Sequence, residues 1–437
     1  MRDFDIVVVG SGPTATAVLD GLSRNRTIAV VTGEGFAPVP GSDLQAKILA
    51  VSRDSGQPAG LTDPITAEGQ TLFATAMEGG LANYWGQQLV RQAENDPWPT
   101  SLFGSFEQYE KECEAIERLF ALRGGEPIDT GVQESLSDFS LRRPRLLVGT
   151  REDPSLGLDS MRATFQQLSQ DVHRFATRAE RLERSPSGWA IHLSDGRRIG
   201  TRTVILAAGV IGTAQLLMRT WPDLIAARFG DHVPYMVYTL GLRRLIESRP
   251  ADVLPHFNAL SVELLREERC TLFASVYDMT RTGLNLLLAS TIGQAFRSLR
   301  RWPAPPGIGF VQPVQAWTPR TVGTIELTAR QARLESQADD PGADPDLQSL
   351  LRALRAQGGR ILLVKATSPG HGFHYHALKL RSEGAEGFVD ISSLLARKSD
   401  GSIICADASI LPTIGCRPHT LTAMAVARQT ASTLKQR

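Results

Sequence analysis

The sequence has few cysteines and no long apolar run, and each absence excludes a class of protein. Four cysteines occur among the 437 residues, and no two of them form a C-x-x-C pair. This argues against a zinc ribbon or a disulfide scaffold and is typical of a reducing compartment. No apolar run approaches the roughly 18 residues that a membrane span needs. The first predicted strand begins at about Phe4, which leaves no room for a signal peptide. We therefore expect a cytoplasmic protein with no membrane partner.

Neither sign of charge is in excess. The 47 lysines and arginines nearly balance the 46 aspartates and glutamates, which gives a formal net charge of +1. Such a balance provides no general attraction for nucleic acid, so no nucleic-acid partner is expected. A hydrophobic content of 42% is typical of a globular chain, and the length allows two or three domains.

A nucleotide-binding pattern lies at the start of the chain. Residues 4–9 form an apolar run typical of a buried parallel strand, 16–22 have helical spacing, and 27–31 form a second apolar run. Between the first two elements stands Gly10-Ser-Gly-Pro-Thr-Ala15, a G-x-G-x-x-A fingerprint. Its glycines permit a tight turn and a close approach of a pyrophosphate, while the helix N-terminus faces the phosphates. The predicted dinucleotide contacts are Gly10, Gly12, Pro13, Thr14 and Ala15.

An acidic side chain is expected to bind the ribose where the second strand ends. Thr32 occupies the usual place by strand alignment, whereas Glu34 has the expected charge two residues later. We favour Glu34 and keep Thr32 as the alternative.

Two further motifs carry a family resemblance. Gly79-Gly-Leu-Ala-Asn-Tyr-Trp-Gly86 and the run from Thr203 through Ala208-Gly209 resemble flavin-contacting segments of the glucose–methanol–choline family of FAD oxidoreductases. Some relatives carry a histidine just before the tryptophan that bonds covalently to the flavin. Tyr84 stands there in this chain, so the resemblance implies non-covalent FAD. The cofactor contacts that it implies are Gly79, Gly80, Asn83, Tyr84, Trp85, Gly86, Ala208, Gly209 and, through its backbone, Ala179 for the adenine.

The C-terminal part carries the family's remaining motifs. The segment that begins Ala406-Asp407-Ala408 resembles one that lies near the ribityl chain and phosphates of the flavin, and His419-Thr420 matches the segment of the second active-site residue. The first catalytic histidine of the family corresponds to His374 or His376, and we favour His374. The Gly-Thr pair that follows this histidine in the family is absent. Gly230-Asp231-His232 also resembles a family element, in which His232 would be structural.

A metal site is the alternative for His371-x-x-His374-x-His376. Neither an acidic residue nor a cysteine lies nearby in the sequence, so no bound metal is expected. His371 receives no role.

The resemblance implies an α/β fold, with a Rossmann-like FAD domain built from 1–100, 145–230 and 385–437. A connecting helical segment would span 101–144, including a helix predicted over 104–121. An α+β substrate domain with an antiparallel sheet would span 231–384, with a polar loop at 337–346.

The implied activity is oxidation of an alcohol to a carbonyl by hydride transfer to flavin N5, with a histidine as general base. The substrate would be a small molecule such as a sugar, a cyclitol or a natural-product intermediate, and O₂ or another acceptor would take the electrons. The alternative is a lyase-type enzyme that keeps FAD for structural reasons. A single nucleotide fingerprint disfavours a NAD(P)-linked flavoprotein with two nucleotide sites.

Overall fold

The structure, a computed structural model, describes most of the chain. The described residues are 2–23, 25–34, 66–67, 70–72, 74–83, 85–127, 138–150, 160–242, 258–277, 311–328, 332–336, 340–367, 370 and 374–434. Within them, no helix has both the length and the apolar character needed to cross a membrane.

The described part of the chain contains eight α-helices. The α-helices are α1 Pro13–Gly21, α2 Thr100–Phe103, α3 Phe106–Glu117, α4 Ser160–Leu168, α5 Gly209–Thr220, α6 Pro345–Ala356, α7 Ile391–Ser399 and α8 Thr420–Thr433. Short 3₁₀ helices lie at Gly80–Asn83, Pro341–Ala343 and Ala408–Ile410.

The first sheet combines parallel and antiparallel strands. Its strands are β1 Arg2–Val9, β2 Ile28–Val31, β8 His173–Phe175, β9 Ala179–Ser185, β10 Gly188–Leu193, β11 Arg198–Leu206 and β22 Ile403–Cys405. Their order is β8-β2-β1-β11-β10-β9, and β22 pairs with β11. The pairs among β8, β2, β1, β11 and β22 are parallel, and β10 is antiparallel to both β11 and β9.

The second sheet has the order β21-β20-β12-β17-β18-β3-β4 and is antiparallel except where β18 meets β3. Its strands are β3 Thr66–Ala67, β4 Gln70–Thr71, β12 Leu224–His232, β17 Val322–Thr328, β18 Ala332–Ser336, β20 Tyr375–Ser382 and β21 Val389–Asp390.

A third, antiparallel sheet has the order β19-β13-β16-β15-β14-β6, and β5 pairs with β7 in a separate ribbon. The strands are β5 Phe120–Arg123, β6 Phe139–Arg142, β7 Leu146–Thr150, β13 Tyr235–Leu240, β14 Asn258–Arg266, β15 Arg269–Tyr277, β16 Val311–Trp317 and β19 Arg360–Ala366. The predicted mixed α/β class, with an antiparallel sheet in the second half of the chain, is confirmed.

Several predicted elements have different ends in the structure. The first helix begins at Pro13 rather than at residue 16, because proline is well suited to the first turn of a helix. The predicted helix 104–121 is α3, which Ser105 caps by accepting a hydrogen bond from the Gln108 amide. The loop predicted over 337–346 is wrong in its described part. There a 3₁₀ helix is followed by α6, whose first amides are capped by Asp344.

Helix α3 is held on the C-terminal helix α8 by a buried hydroxyl. The Tyr109 hydroxyl accepts from the Gln92 amide at 2.9 Å and lies 3.0 Å from the Thr422 hydroxyl. At the other end of the contact, Arg428 of α8 donates to Glu112 of α3.

Tyr109→Phe removes this hydroxyl and leaves the buried Gln92 amide without its acceptor. The free energy of unfolding should fall by about 1–3 kcal/mol, because an unsatisfied buried donor keeps its desolvation cost. Tyr238→Phe is the control, since within the described residues that hydroxyl has no partner, and its loss should stay below about 0.5 kcal/mol. Urea unfolding measures both variants, and equal losses would contradict the proposed anchoring.

Candidate active site

The loop after β1 is shaped by the neighbouring strand. Gly10 has φ +126°, and a Cβ at this position would lie 2.1 Å from the Ala207 carbonyl oxygen at the end of β11. Gly12 is different, since a Cβ there would lie at an ordinary 3.5 Å from the Gly79 carbonyl oxygen. Gly12 also caps α1, whose free backbone amides attract anions. The loop is therefore tight on its β11 side and open at the helix N-terminus.

Ser11, which the sequence analysis did not single out, joins this loop to two others. Its hydroxyl donates to the Thr32 carbonyl oxygen at 2.6 Å and accepts from the Gly79 amide at 2.9 Å. The Gly79–Gly80 turn therefore lies beside the fingerprint loop. Trp85, a few residues further along the chain, has a buried Nε1 with no hydrogen-bond partner in the described part of the structure. Tyr84 and the side chain of Asn83 lie outside the described residues.

The two ribose candidates are in different environments. Thr32 is buried, and its hydroxyl donates to the Phe175 carbonyl oxygen at 3.4 Å. The half-buried Glu34 carboxylate accepts from the Ser194 hydroxyl at 2.5 Å. The same hydroxyl accepts from the Arg178 amide, next to Ala179. Ser194, another residue that sequence reasoning missed, thus brings Glu34 and the predicted adenine segment together.

The second strand-to-helix turn meets the C-terminal segment. Ala208 caps α5, and Gly209 has φ +72° with open space where a Cβ would stand. The buried Asp407 carboxylate accepts from the Thr213 hydroxyl of α5 at 2.8 Å and from the Ser409 amide at 2.9 Å. Asp407 therefore ties α5 to the 3₁₀ helix that contains Ala408.

His374 and His419 are in contact. Their ring centroids are 5.1 Å apart with the planes at 75°, and the Trp317 ring stacks on His374 at 5.2 Å. The Nδ1 atoms of both histidines are buried and have no hydrogen-bond partner among the described residues. Within the described part of the chain, neither imidazole ring makes a hydrogen bond. Two polar rings, one half-buried and one buried, are thus held together with no hydrogen bond to the described residues.

His376 and His232 are engaged with backbone carbonyls. His376 Nδ1 donates to the His374 carbonyl oxygen at 3.0 Å, and His232 Nε2 donates to the Thr318 carbonyl oxygen at 2.8 Å. The His376 ring lies over Gly230, where a Cβ would come within 2.7 Å of it. His371 lies outside the described residues. Among the described side chains, no group of three or more histidines, cysteines or acids could hold a metal ion.

Burial keeps these imidazoles neutral. Desolvation lowers the pKa of His419 to about 3 and that of His232 to about 4. Desolvation also lowers the pKa of His374 well below its usual value, and the neighbouring histidines lower it further. The pKa of His376 is lowered in the same way, although its bond to the His374 carbonyl opposes the shift. At neutral pH each ring is therefore uncharged, with a lone pair on one nitrogen and an N–H on the other.

Comparison with known proteins gives a likeness in fold. No protein-family model matches the sequence, and no curated protein is detectably similar to it. Among many solved structures that match is pyridoxine 4-oxidase from Mesorbium loti, with a TM-score of 0.59 and 13% sequence identity. The match covers 99% of each chain. The predicted resemblance to the glucose–methanol–choline family of FAD oxidoreductases is confirmed at the level of the fold.

The depressed pKa values make stability depend on pH. Below about pH 6.5 the unfolded histidines bind protons, while His419 and His232 in the folded chain do not until about pH 3 and 4. Stability is therefore full above pH 7 and falls as the pH drops, by about 2 kcal/mol per histidine at pH 5. His419→Gln should reduce the loss of unfolding free energy between pH 8 and pH 5 by about that amount, as measured by urea unfolding. A loss as large as that of the wild type would show that His419 is not held neutral.

Proposed function

We propose that the protein is an FAD-dependent oxidoreductase that oxidises the CH–OH group of a small molecule to a carbonyl. The observation that carries this proposal is the contact between the half-buried His374 and the buried His419, two neutral imidazoles with no hydrogen bond to the described protein. The fold supports it, because a structure that resembles this chain along its whole length is an oxidase.

The residues around the first sheet fit an FAD molecule. The open side of Gly12 leaves room for a pyrophosphate at the N-terminus of α1. Trp85 Nε1 and Ser409 Oγ are buried polar atoms that lack a partner among the described residues and that a ligand can satisfy. The proposed contacts are Gly10, Gly12, Pro13, Thr14 and Ala15 for the pyrophosphate, Glu34 for the ribose and Ala179 for the adenine. The remaining parts of FAD would contact Gly79, Gly80, Asn83, Tyr84, Trp85, Gly86, Ala208, Gly209, Asp407, Ala408, His419 and Thr420. Binding would be non-covalent. Residues 1–100, 145–230 and 385–437 would form the FAD domain, and 231–384 would form the substrate domain.

The histidine pair can manage the proton of the substrate hydroxyl. FAD, when bound, supplies the acceptor for the hydride of the C–H bond. One neutral imidazole, from His419 or His374, takes the hydroxyl proton through its lone pair. The other donates an N–H to the oxygen and stabilises the negative charge that develops there. His376 is less suited than His374, because its ring lies over Gly230, whereas the His374 ring contacts that of His419.

The two fingerprint glycines give a sharp test of cofactor binding. Gly12→Ala adds a Cβ at ordinary contact distance from the protein, so the cofactor-free chain should keep its melting temperature. The added methyl group would occupy the proposed pyrophosphate space, so the affinity for FAD should fall at least about tenfold. Flavin fluorescence titration measures the affinity, and unchanged binding would place the pyrophosphate elsewhere.

Gly10→Ala is the contrasting variant. Its Cβ would collide with the Ala207 carbonyl oxygen, so the protein should lose stability even in the absence of FAD. Equal effects of the two substitutions on the cofactor-free chain would contradict the geometry of the loop.

The catalytic assignment is tested by His419→Ala in the FAD-loaded protein. A general base contributes on the order of 10²–10⁴-fold, so the rate of flavin reduction by an alcohol substrate should fall by at least about 10²-fold while FAD stays bound. Anaerobic stopped-flow absorbance measures this rate. His192→Ala, in β10 and outside the histidine group, should retain the wild-type rate. A near-normal rate in His419→Ala would contradict the assignment.

The same anaerobic mixing tests the reaction class. Bleaching of the flavin band by an alcohol panel is expected if hydride leaves the substrate, whereas product formation without bleaching would indicate a lyase-type reaction. Hydrogen peroxide formed during aerobic turnover would distinguish an oxidase from a dehydrogenase that uses another acceptor.

A further inference from the structure

The end of strand β12 holds the backbone of His374 from two sides. Asp231 has 0% exposure, and its two carboxylate oxygens accept from the Gly370 amide at 2.8 Å and from the His374 amide at 3.1 Å. The next residue, His232, donates its own amide to the His374 carbonyl oxygen at 3.4 Å. The backbone N–H and C=O of His374 therefore both hydrogen-bond to the adjacent residues Asp231 and His232.

His232 also reaches the segment that carries His419. Its ring donates to the Thr318 carbonyl oxygen at 2.8 Å, and the backbone of Gly415 lies close enough to the same ring to oppose the lowering of its pKa. Gly415 stands four residues before His419. Trp317, which stacks on His374, directly precedes Thr318. His232 thus hydrogen-bonds to the segments that contribute His374 and Trp317 and lies beside the one that contributes His419.

Apart from two ring contacts, the His374 imidazole is positioned by its own backbone. Within the described residues its ring makes no hydrogen bond and is positioned by stacking on Trp317 and by contact with His419. Its placement is therefore set mainly by its backbone, which hydrogen-bonds to Asp231, to the His232 amide and to the His376 ring. A displacement of about 1 Å in a catalytic group can cost on the order of 10²-fold in rate.

We propose that Asp231 and His232 are positioning residues, which hold His374 and His419 at the separation that the reaction needs. The proposal rests on the proposed function for its kinetic consequence, but its structural content is independent of it. A carboxylate is suited to this task because it accepts two backbone N–H groups at once, and such charge-assisted bonds are stronger than neutral ones. The same pairing offsets the cost of burying the charge.

Asp231→Asn is the test variant. The amide keeps the shape of the side chain, but one of the two backbone N–H groups then faces an NH₂ group instead of an oxygen. Loosening of this segment should expose His374 to diethyl pyrocarbonate, which modifies neutral imidazoles. Site-resolved mass spectrometry should show a rise of at least about fivefold in the modification rate of His374, the equivalent of one lost buried hydrogen bond. The exposed His173 in β8 is the internal reference and should be unchanged.

In the FAD-loaded protein the same variant should reduce its flavin at least about tenfold more slowly, with FAD content and substrate KM changed by less than about twofold. Asp390→Asn is the matched control, since Asp390 also accepts a backbone amide, at the start of α7, but does not contact the histidines. Unchanged His374 reactivity in a folded Asp231→Asn protein would overturn the proposal, as would an equal change in the control.

A second pair of variants covers the case in which Asp231→Asn does not fold. His232→Gln keeps a side-chain donor for a carbonyl, whereas His232→Leu removes it. The leucine variant should show faster modification of both His374 and His419 than the glutamine variant, and equal rates in the two would overturn the proposal. If no alcohol of the panel bleaches the flavin of the wild-type protein, the proposed function fails. The modification rates of the histidines still decide the positioning role in that case.

Discussion

The parallel pairing of β1, β11 and β22 is the constraint on which the site depends. Val9 pairs with Leu206, and Leu206 pairs with Cys405, so three strands end in register at one edge of the sheet. The next residues are Gly10, Ala207 and Ala406, and with them begin three motifs that are about 200 residues apart in the chain. Ligands of open α/β sheets bind at the carboxyl ends of parallel strands. Hydrogen bonding between backbones therefore gathers the proposed cofactor contacts.

The histidine site depends on a second constraint, the pairing of β12 with β20. An extra residue in β20 between His376 and Lys379 shifts this pairing, and Ala377 within it has φ +55°. Gly230, without a side chain, leaves room for the His376 ring. At the end of the paired region, Asp231 and His232 hold His374 by its backbone. The chemistry then follows from desolvation, because rings without partners in a buried site stay neutral and keep their lone pairs.

The sequence predicts the parts of the fold that depend on local signals. The apolar run of β1 and the glycines after it identify the first loop, since both requirements belong to neighbouring residues. The choice between His374 and His376 could not be made in this way, because alternate residues of an extended segment share a face. In the structure the surroundings of the two rings differ through the His376–His374 carbonyl bond and the bulge at Ala377, which no short pattern encodes. Ser11, Ser194 and Trp317 were missed for a similar reason, since their partners are distant in the sequence.

A crystal structure of the protein with FAD is the most direct test of the claim that the strand-end loops and the histidine pair form one site. The account predicts the pyrophosphate at the N-terminus of α1 beside Gly12 and the flavin ring against His374 and His419. An FAD molecule bound with its flavin ring away from both histidines, or no FAD binding by the folded protein, would contradict it.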